Sequence, residues 1–135
     1  MPFYEEKRIN RDFSEHSLFA FEKKRKEGAR MLENRFKTNL VSELEEMFPG
    51  CLIIHMDPNE TQGIPDLLIL HNDKWAALEG KKSATAPVRP NQPYYVDLMN
   101  RMSFARFIYP ENKEEVLYEL QQALRPRRKT RISRS

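Results

Sequence analysis

Between residues 27 and 48 apolar side chains return every four positions: Leu32, Phe36, Leu40, Leu44 and Phe48, with Met47 between them. That spacing predicts an amphipathic helix, and Phe48-Pro49-Gly50 stops it. Upstream the pattern is weaker. Residues 1–13 predict an irregular arm, and Asp12 with Glu15 three residues on predicts a capping box that opens a helix. Its aromatics, Phe13, Phe19 and Phe21, do not share one stripe. Downstream the period shortens. Residues 51–56, 66–70 and 75–82 are short apolar runs of β-type composition, the last two joined by the polar turn His71-Asn72-Asp73. "VRPNQP" (88–93) predicts a loop with Asn91 as N-cap, followed by a helix from Gln92 to Met102 that carries Tyr94, Tyr95, Leu98 and Met99. Residues 105–109 predict a strand ended by Pro110. Residues 111–124 predict a last amphipathic helix with Val116, Leu117, Leu120 and Leu124 on one face.

The predicted order is helix, three strands, helix, strand, helix. The three strands suit a meander, and the helix from Gln92 is long enough to cross over to a parallel fourth strand. At 135 residues the chain has enough material for one modest core. The expected division is an N-terminal arm and helix (1–26), an α/β domain (27–124) and a basic disordered tail (125–135). A composition of 39% hydrophobic and 32% charged residues suits a small globule with a charged surface. No apolar run reaches the ~20 residues of a membrane span. No signal-peptide pattern opens the chain. Cys51 is the one cysteine, which excludes an internal disulfide and favours a reducing compartment, cytoplasmic or the host cytoplasm for a viral protein. It is expected to be a small buried hydrophobe. With His16, His55 and His71 scattered, no zinc-type ligand cluster is visible.

Charge changes the picture. Residues 125–135, "RPRRKTRISRS", carry six Arg or Lys and no acid, so the other 124 residues sum to −3 within a total of +3. A second basic cluster, "KKRK", occupies residues 23–26. Basic ends on a mildly acidic body point to a polyanion partner. A solvated tail that serves solubility is the competing reading on charge alone.

The strands themselves carry charges. Glu79 and Lys81 are two apart in a strand pattern and share a face. Asp66 opens the strand joined to theirs by a tight turn, so a suitable hairpin register sets it beside them. Two carboxylates that close repel unless a cation or a proton lies between them. Oxygen ligands without His or Cys favour Mg²⁺ or Mn²⁺ over zinc. Lysine is then the partner for an attacking water or a phosphate oxygen. On the helix, at about 100° per residue with Leu32 at zero, the apolar stripe spans roughly 0–160° and Glu33 falls near 100°, inside it. A carboxylate there is costly without a partner. Glu43, at roughly 20°, is the rival candidate.

Helical Glu33, then Gly63-Ile64-Pro65-Asp66, then Glu79-Gly80-Lys81, then Gln92 opening a helix resembles the PD-(D/E)xK nuclease superfamily. Within it the chain is most similar to the phage endonuclease I and archaeal Holliday-junction resolvase group and to the virus-type replication-repair nuclease domains. The similarity covers roughly residues 29–109. It implies a single-domain, restriction-endonuclease-like α-β-β-β-α-β core with a mixed central sheet flanked by helices. Gly80 departs from the pattern, which usually has an apolar residue there. The resemblance implies that Asp66 and Glu79 ligate a metal, with the Gly80 carbonyl as an additional ligand. It implies that Lys81 orients or deprotonates the attacking water. Glu33 would bind a second metal or hold its water shell, and Gln92 would steady the metal water or Lys81.

The function implied is a Mg²⁺-dependent DNA endonuclease (Mn²⁺ substituting) that hydrolyses phosphodiesters in branched or structured DNA, leaving 5′-phosphate and 3′-hydroxyl ends. A homodimer suits symmetric cutting of two strands. Expected DNA contacts are Lys82, Arg89, Arg125, Arg127, Arg128, Lys129, Arg131 and Arg134. The alternatives are a non-catalytic DNA-binding module on the same fold, a nicking or degradative phage-type nuclease, and an interaction protein whose tail binds RNA or an acidic partner. Residue by residue, bland readings compete: Asp66 as a turn residue, Glu79 and Lys81 as the wet face of an edge strand, Glu33 as an i,i+4 partner of Lys37. The aromatics Tyr94, Tyr95, Phe104 and Phe107 are expected in the core rather than as base-stacking platforms.

Overall fold

The first helix, α1, runs over Pro2–Met47 in the computed structural model, which describes residues 2–126 and the side chains of residues 17–126. The arm expected at residues 1–13, and the separate helix start at Asp12, are therefore corrected: from Pro2 onward the backbone is helical. Pro2 is tolerated because the first turn of a helix needs no N–H. From Phe3 to Glu27 no glycine or proline interrupts a stretch rich in Glu, Lys and Arg. The chain divides into two compact units, residues 1–34 and 35–135. The first is helical throughout its described length, and Leu18, Phe19, Phe21, Met31 and Leu32 are exposed on it. The apolar stripe expected to begin at Leu32 is buried only from the second unit onward.

The second unit holds the sheet. Strands β1 (Leu52–His55), β2 (Leu67–His71), β3 (Lys74–Gly80) and β4 (Ala105–Ile108) lie in that order, with helix α2 (Asn91–Met102) before β4 and α3 (Lys113–Ala123) after it. β1, β2 and β3 form an antiparallel meander, and β4 joins β3 in parallel. The β2–β3 turn is tight: His71 pairs with Lys74, and Asn72 between them takes a left-handed φ of 57°, a conformation asparagine tolerates. The parallel pairing of β3 and β4 requires a crossover, which α2 supplies.

Alternation sorts the core into two layers. Leu67 and Ile69 of β2, Ala76 and Leu78 of β3, and Ile108 of β4 are buried against Leu40 and Leu44 of α1, Phe48 just beyond it, Val116 and Leu120 of α3, and Leu124 at its end. On the other face Ala77 and Ala105 meet Val96 of α2, with Leu68, Trp75, Met99 and Phe107 packed around them. The small alanines let α2 come close to the sheet. β3, in the middle, is buried along Ala76–Gly80, whereas edge strand β1 leaves Leu52 and Ile54 exposed. The expectation of a small α/β domain with a mixed sheet flanked by helices is met.

Candidate functional site

Asp66 immediately precedes β2, Glu79 lies near the end of β3, and Lys81 follows it. The β2–β3 register pairs Leu67 with Leu78. One step further sets Asp66 opposite Glu79, where Cβ atoms of directly facing residues lie roughly 4.5–5.5 Å apart. By the same alternation Asp66, Glu79 and Lys81 share the face on which Leu68 and Ala77 meet α2. The backbone supports this register on both sides: Met56 N–H donates to the Asp66 carbonyl at 2.9 Å, and Lys81 N–H to the Ile108 carbonyl at 2.8 Å.

Asp66 and Lys81 are held by named neighbours. Gly80 N–H donates to Asp66 Oδ1 at 3.3 Å. The other oxygen, Oδ2, is buried and forms an ion pair with Lys37 Nζ from α1. Glu79 is only 4% exposed and Lys81 8%, the buried charged side chains among the described residues. Lys81 Nζ donates to Gln92 Oε1 at 2.8 Å. The same oxygen accepts Arg89 N–H at 2.9 Å, which locks the glutamine onto the loop that precedes α2. Helix α2 starts at Asn91 with Pro90 at its cap position and no side-chain cap, so the expected capping role of Asn91 is corrected. Gln92 does comparable work by reaching back to Arg89.

Two glycines make this geometry possible. Gly63 takes φ +88°, and a Cβ there would lie 2.6 Å from the Asn91 carbonyl carbon and closer still to its Cβ. The loop before Asp66 is thus pressed against the start of α2, which fixes Asp66 relative to Gln92. At Gly80 a Cβ would lie 2.9 Å from Cγ of Lys37. The lysine stem occupies the space that a side chain at residue 80 would need.

Asp66, Glu79, Gly80, Lys81 and Gln92 are therefore brought together at one end of the sheet. Glu33 is half-buried on α1 in the first unit, and its role toward a second metal is what the resemblance implies. Glu43, the rival acid, pairs with Lys113 Nζ at 2.8 Å. It lines a surface cleft of about 320 Å³ with Phe36, Asn39, Leu40 and Ser42. Lys82 is half-buried beside the site, and Arg89 and Arg125 are exposed. Arg127, Arg128, Lys129, Arg131 and Arg134 lie outside the described residues. Phe104 is buried and Phe107 packs under α2, as expected of core aromatics. Tyr94 is corrected: it is 60% exposed, edge-on to Tyr95 with ring centroids 5.0 Å apart. Cys51 packs against the core, and burial pushes its thiol up from its ordinary value, the Glu45 carboxylate adding to the effect.

Lys37 is the site residue that the sequence reading did not assign. Its signal was present, because at about 100° per residue it falls near 140° on the same wheel that places Glu33, within the apolar stripe.

Among the described residues no three His, Cys, Asp or Glu side chains gather into a metal-type cluster, and no helix is long and apolar enough to cross a membrane. The donor set, two facing carboxylates, nevertheless suits Mg²⁺, which binds through one or two carboxylates and keeps waters or phosphate oxygens in its other positions. The buried Asp66 Oδ2, already against an ammonium, is a seat for positive charge. Comparison with family models, with curated proteins and with solved structures finds no match to this chain.

Proposed function

We propose that the unit beginning at Arg35 is a Mg²⁺-dependent DNA endonuclease of the PD-(D/E)xK kind, acting on branched or otherwise structured DNA. The observation that carries the reading is the convergence of Asp66, Glu79, Lys81 and Gln92 at one sheet end, in the order and on the elements that the resemblance implies. The layer arrangement also suits that core, with α2 on one face of a four-stranded mixed sheet and α3 on the other. Asp66 and Glu79 would hold the divalent cation. When bound, that ion neutralises phosphate charge and lowers the pKa of a coordinated water.

The chain's own residues do the rest. Gly80 N–H fixes the Asp66 carboxylate through Oδ1. Gln92, tied to Arg89, fixes the Lys81 ammonium. A lysine so held meets the non-bridging phosphate oxygen, or the water that attacks, without having to be ordered during the reaction. Exposed Arg89 and Tyr94 flank this end of α2 and suit contact with phosphate and base.

The ion pair of Lys37 with Asp66 favours one other reading, a DNA-binding module in which a lysine has taken over the cation's place. Cleavage assays on plasmid, linear and four-way-junction DNA, with Mg²⁺, Mn²⁺ or EDTA, separate the two. Metal-dependent cutting with preference for the junction is expected. Binding without cutting in any metal would reject the enzyme.

A further inference from the structure

Lys37 has no part in the reaction outlined above, yet it contacts the carboxylate on which that reaction depends. We propose that Lys37 is a resident counter-ion of Asp66 that a divalent cation must displace, so that this lysine sets the cation concentration at which the site fills. The inference rests on the metal-dependent reading.

Three observations carry it. Asp66 Oδ1 is committed to Gly80 N–H, so a cation using the carboxylate's other oxygen meets Lys37 Nζ there. The pair is partly desolvated, with side chains 26% and 21% exposed, so screening by water is weaker than between surface charges. A double positive charge cannot share that oxygen with an ammonium at contact distance without strong repulsion. Finally, the placement of Lys37 is built into the sheet. Its stem crosses β3 at Gly80, where a Cβ would come within 2.9 Å of Cγ and 3.2 Å of Cε. A side chain at residue 80 would force the Lys37 stem to shift from this path.

The lysine also has a use before loading. Asp66 and Glu79 face one another, and two carboxylates at that spacing repel. Lys37 neutralises one of them while no metal is bound, which lets the strand ends close. Occupancy then answers to the free cation concentration.

The test is calorimetric titration of Mn²⁺, without DNA, into the full chain and its variants. Lys37→Met keeps the apolar stem and removes the charge. It is expected to bind Mn²⁺ about tenfold more tightly than the unmodified chain, and to melt at lower temperature in EDTA with a larger gain on adding Mn²⁺. Gly80→Ala should push the stem aside and shift affinity in the same direction by a smaller factor. Combined with Lys37→Met it should add almost nothing, because both act on one contact. Equal or weaker Mn²⁺ binding by Lys37→Met overturns the inference and leaves the metal reading standing. If Lys37→Met does not fold, unchanged affinity in Gly80→Ala overturns it in the same way. Absence of Mn²⁺ binding in the unmodified chain and in both variants overturns the metal reading and this inference together.

Discussion

Lys81 and Lys37 reach the same cluster with different partners, and the partners separate their roles. Lys81 is 8% exposed, and its ammonium donates to the neutral amide oxygen of Gln92. Lys37 is cancelled by Asp66. Lys81→Ala is therefore expected to lower single-turnover cleavage by at least about 100-fold, the cost of losing one fixed charge donor at a transition state. DNA affinity measured in Ca²⁺ should change far less, because one phosphate contact among several is lost. Full cleavage by folded Lys81→Ala would remove the site assignment. Asp66, Glu79 and Lys81 were legible as a set because chemistry-bearing residues stood at strand spacing where apolar ones belong, whereas Gln92 was named through the resemblance alone. Lys37 was hidden because a lysine on a helix reads first as a surface partner of an acid four residues away. Only the missing side chain at residue 80, a contact across 43 positions, reveals where its stem runs.

At the scale of elements, strands and short helices were readable and the long helix was not. The two-residue periods of β2 and β3 name their faces, and the polar turn at Asn72 sets the register that brings Asp66 to Glu79. For α1, local pattern failed upstream of Glu27. A helix with exposed Leu18, Phe19 and Phe21 has no buried stripe to read, and its continuity comes from propensity rather than amphipathicity. The contact of the loop before β2 with α2 was equally invisible, yet it aligns the two halves of the site. Gly63→Ala tests it. The substitution places a side chain at a left-handed φ and against Asn91, which should cost about 2–3 kcal/mol and lower the melting temperature by roughly 10 °C or more. Gly50→Ala is the control: its φ is +84°, but nothing lies within 4 Å of the added Cβ. It should cost only about 1 kcal/mol, the conformational part. Equal losses in the two variants, read by thermal denaturation, would mean that the approach to Asn91 contributes nothing.

For the whole molecule the governing quantity is charge, and it is unevenly spread. The last eleven residues carry six Arg or Lys, while the remaining 124 sum to −3. A polyanion that approaches the Asp66–Glu79 end therefore meets a body with net negative charge, and the basic ends must offset that. Deleting residues 125–135 should leave the fold and the metal site intact. Among the described residues Leu124 is the last one buried in the core, and the sequence beyond it has almost no apolar content to pack. It should weaken binding to every DNA tested rather than alter preference among them, because phosphate contacts carry no sequence information. Each neutralised phosphate contributes about 0.9 to the slope of log affinity against log salt on duplex DNA. Six charges that engage only in part should lower the slope by roughly 2 to 4 units on deletion. The measurement is a salt titration of DNA binding in Ca²⁺, comparing the full chain with the truncated one on duplex and four-way-junction substrates. A reduced slope on both substrates, with their affinity ratio unchanged, assigns the tail to the DNA backbone. An identical slope would leave it only solubility to serve.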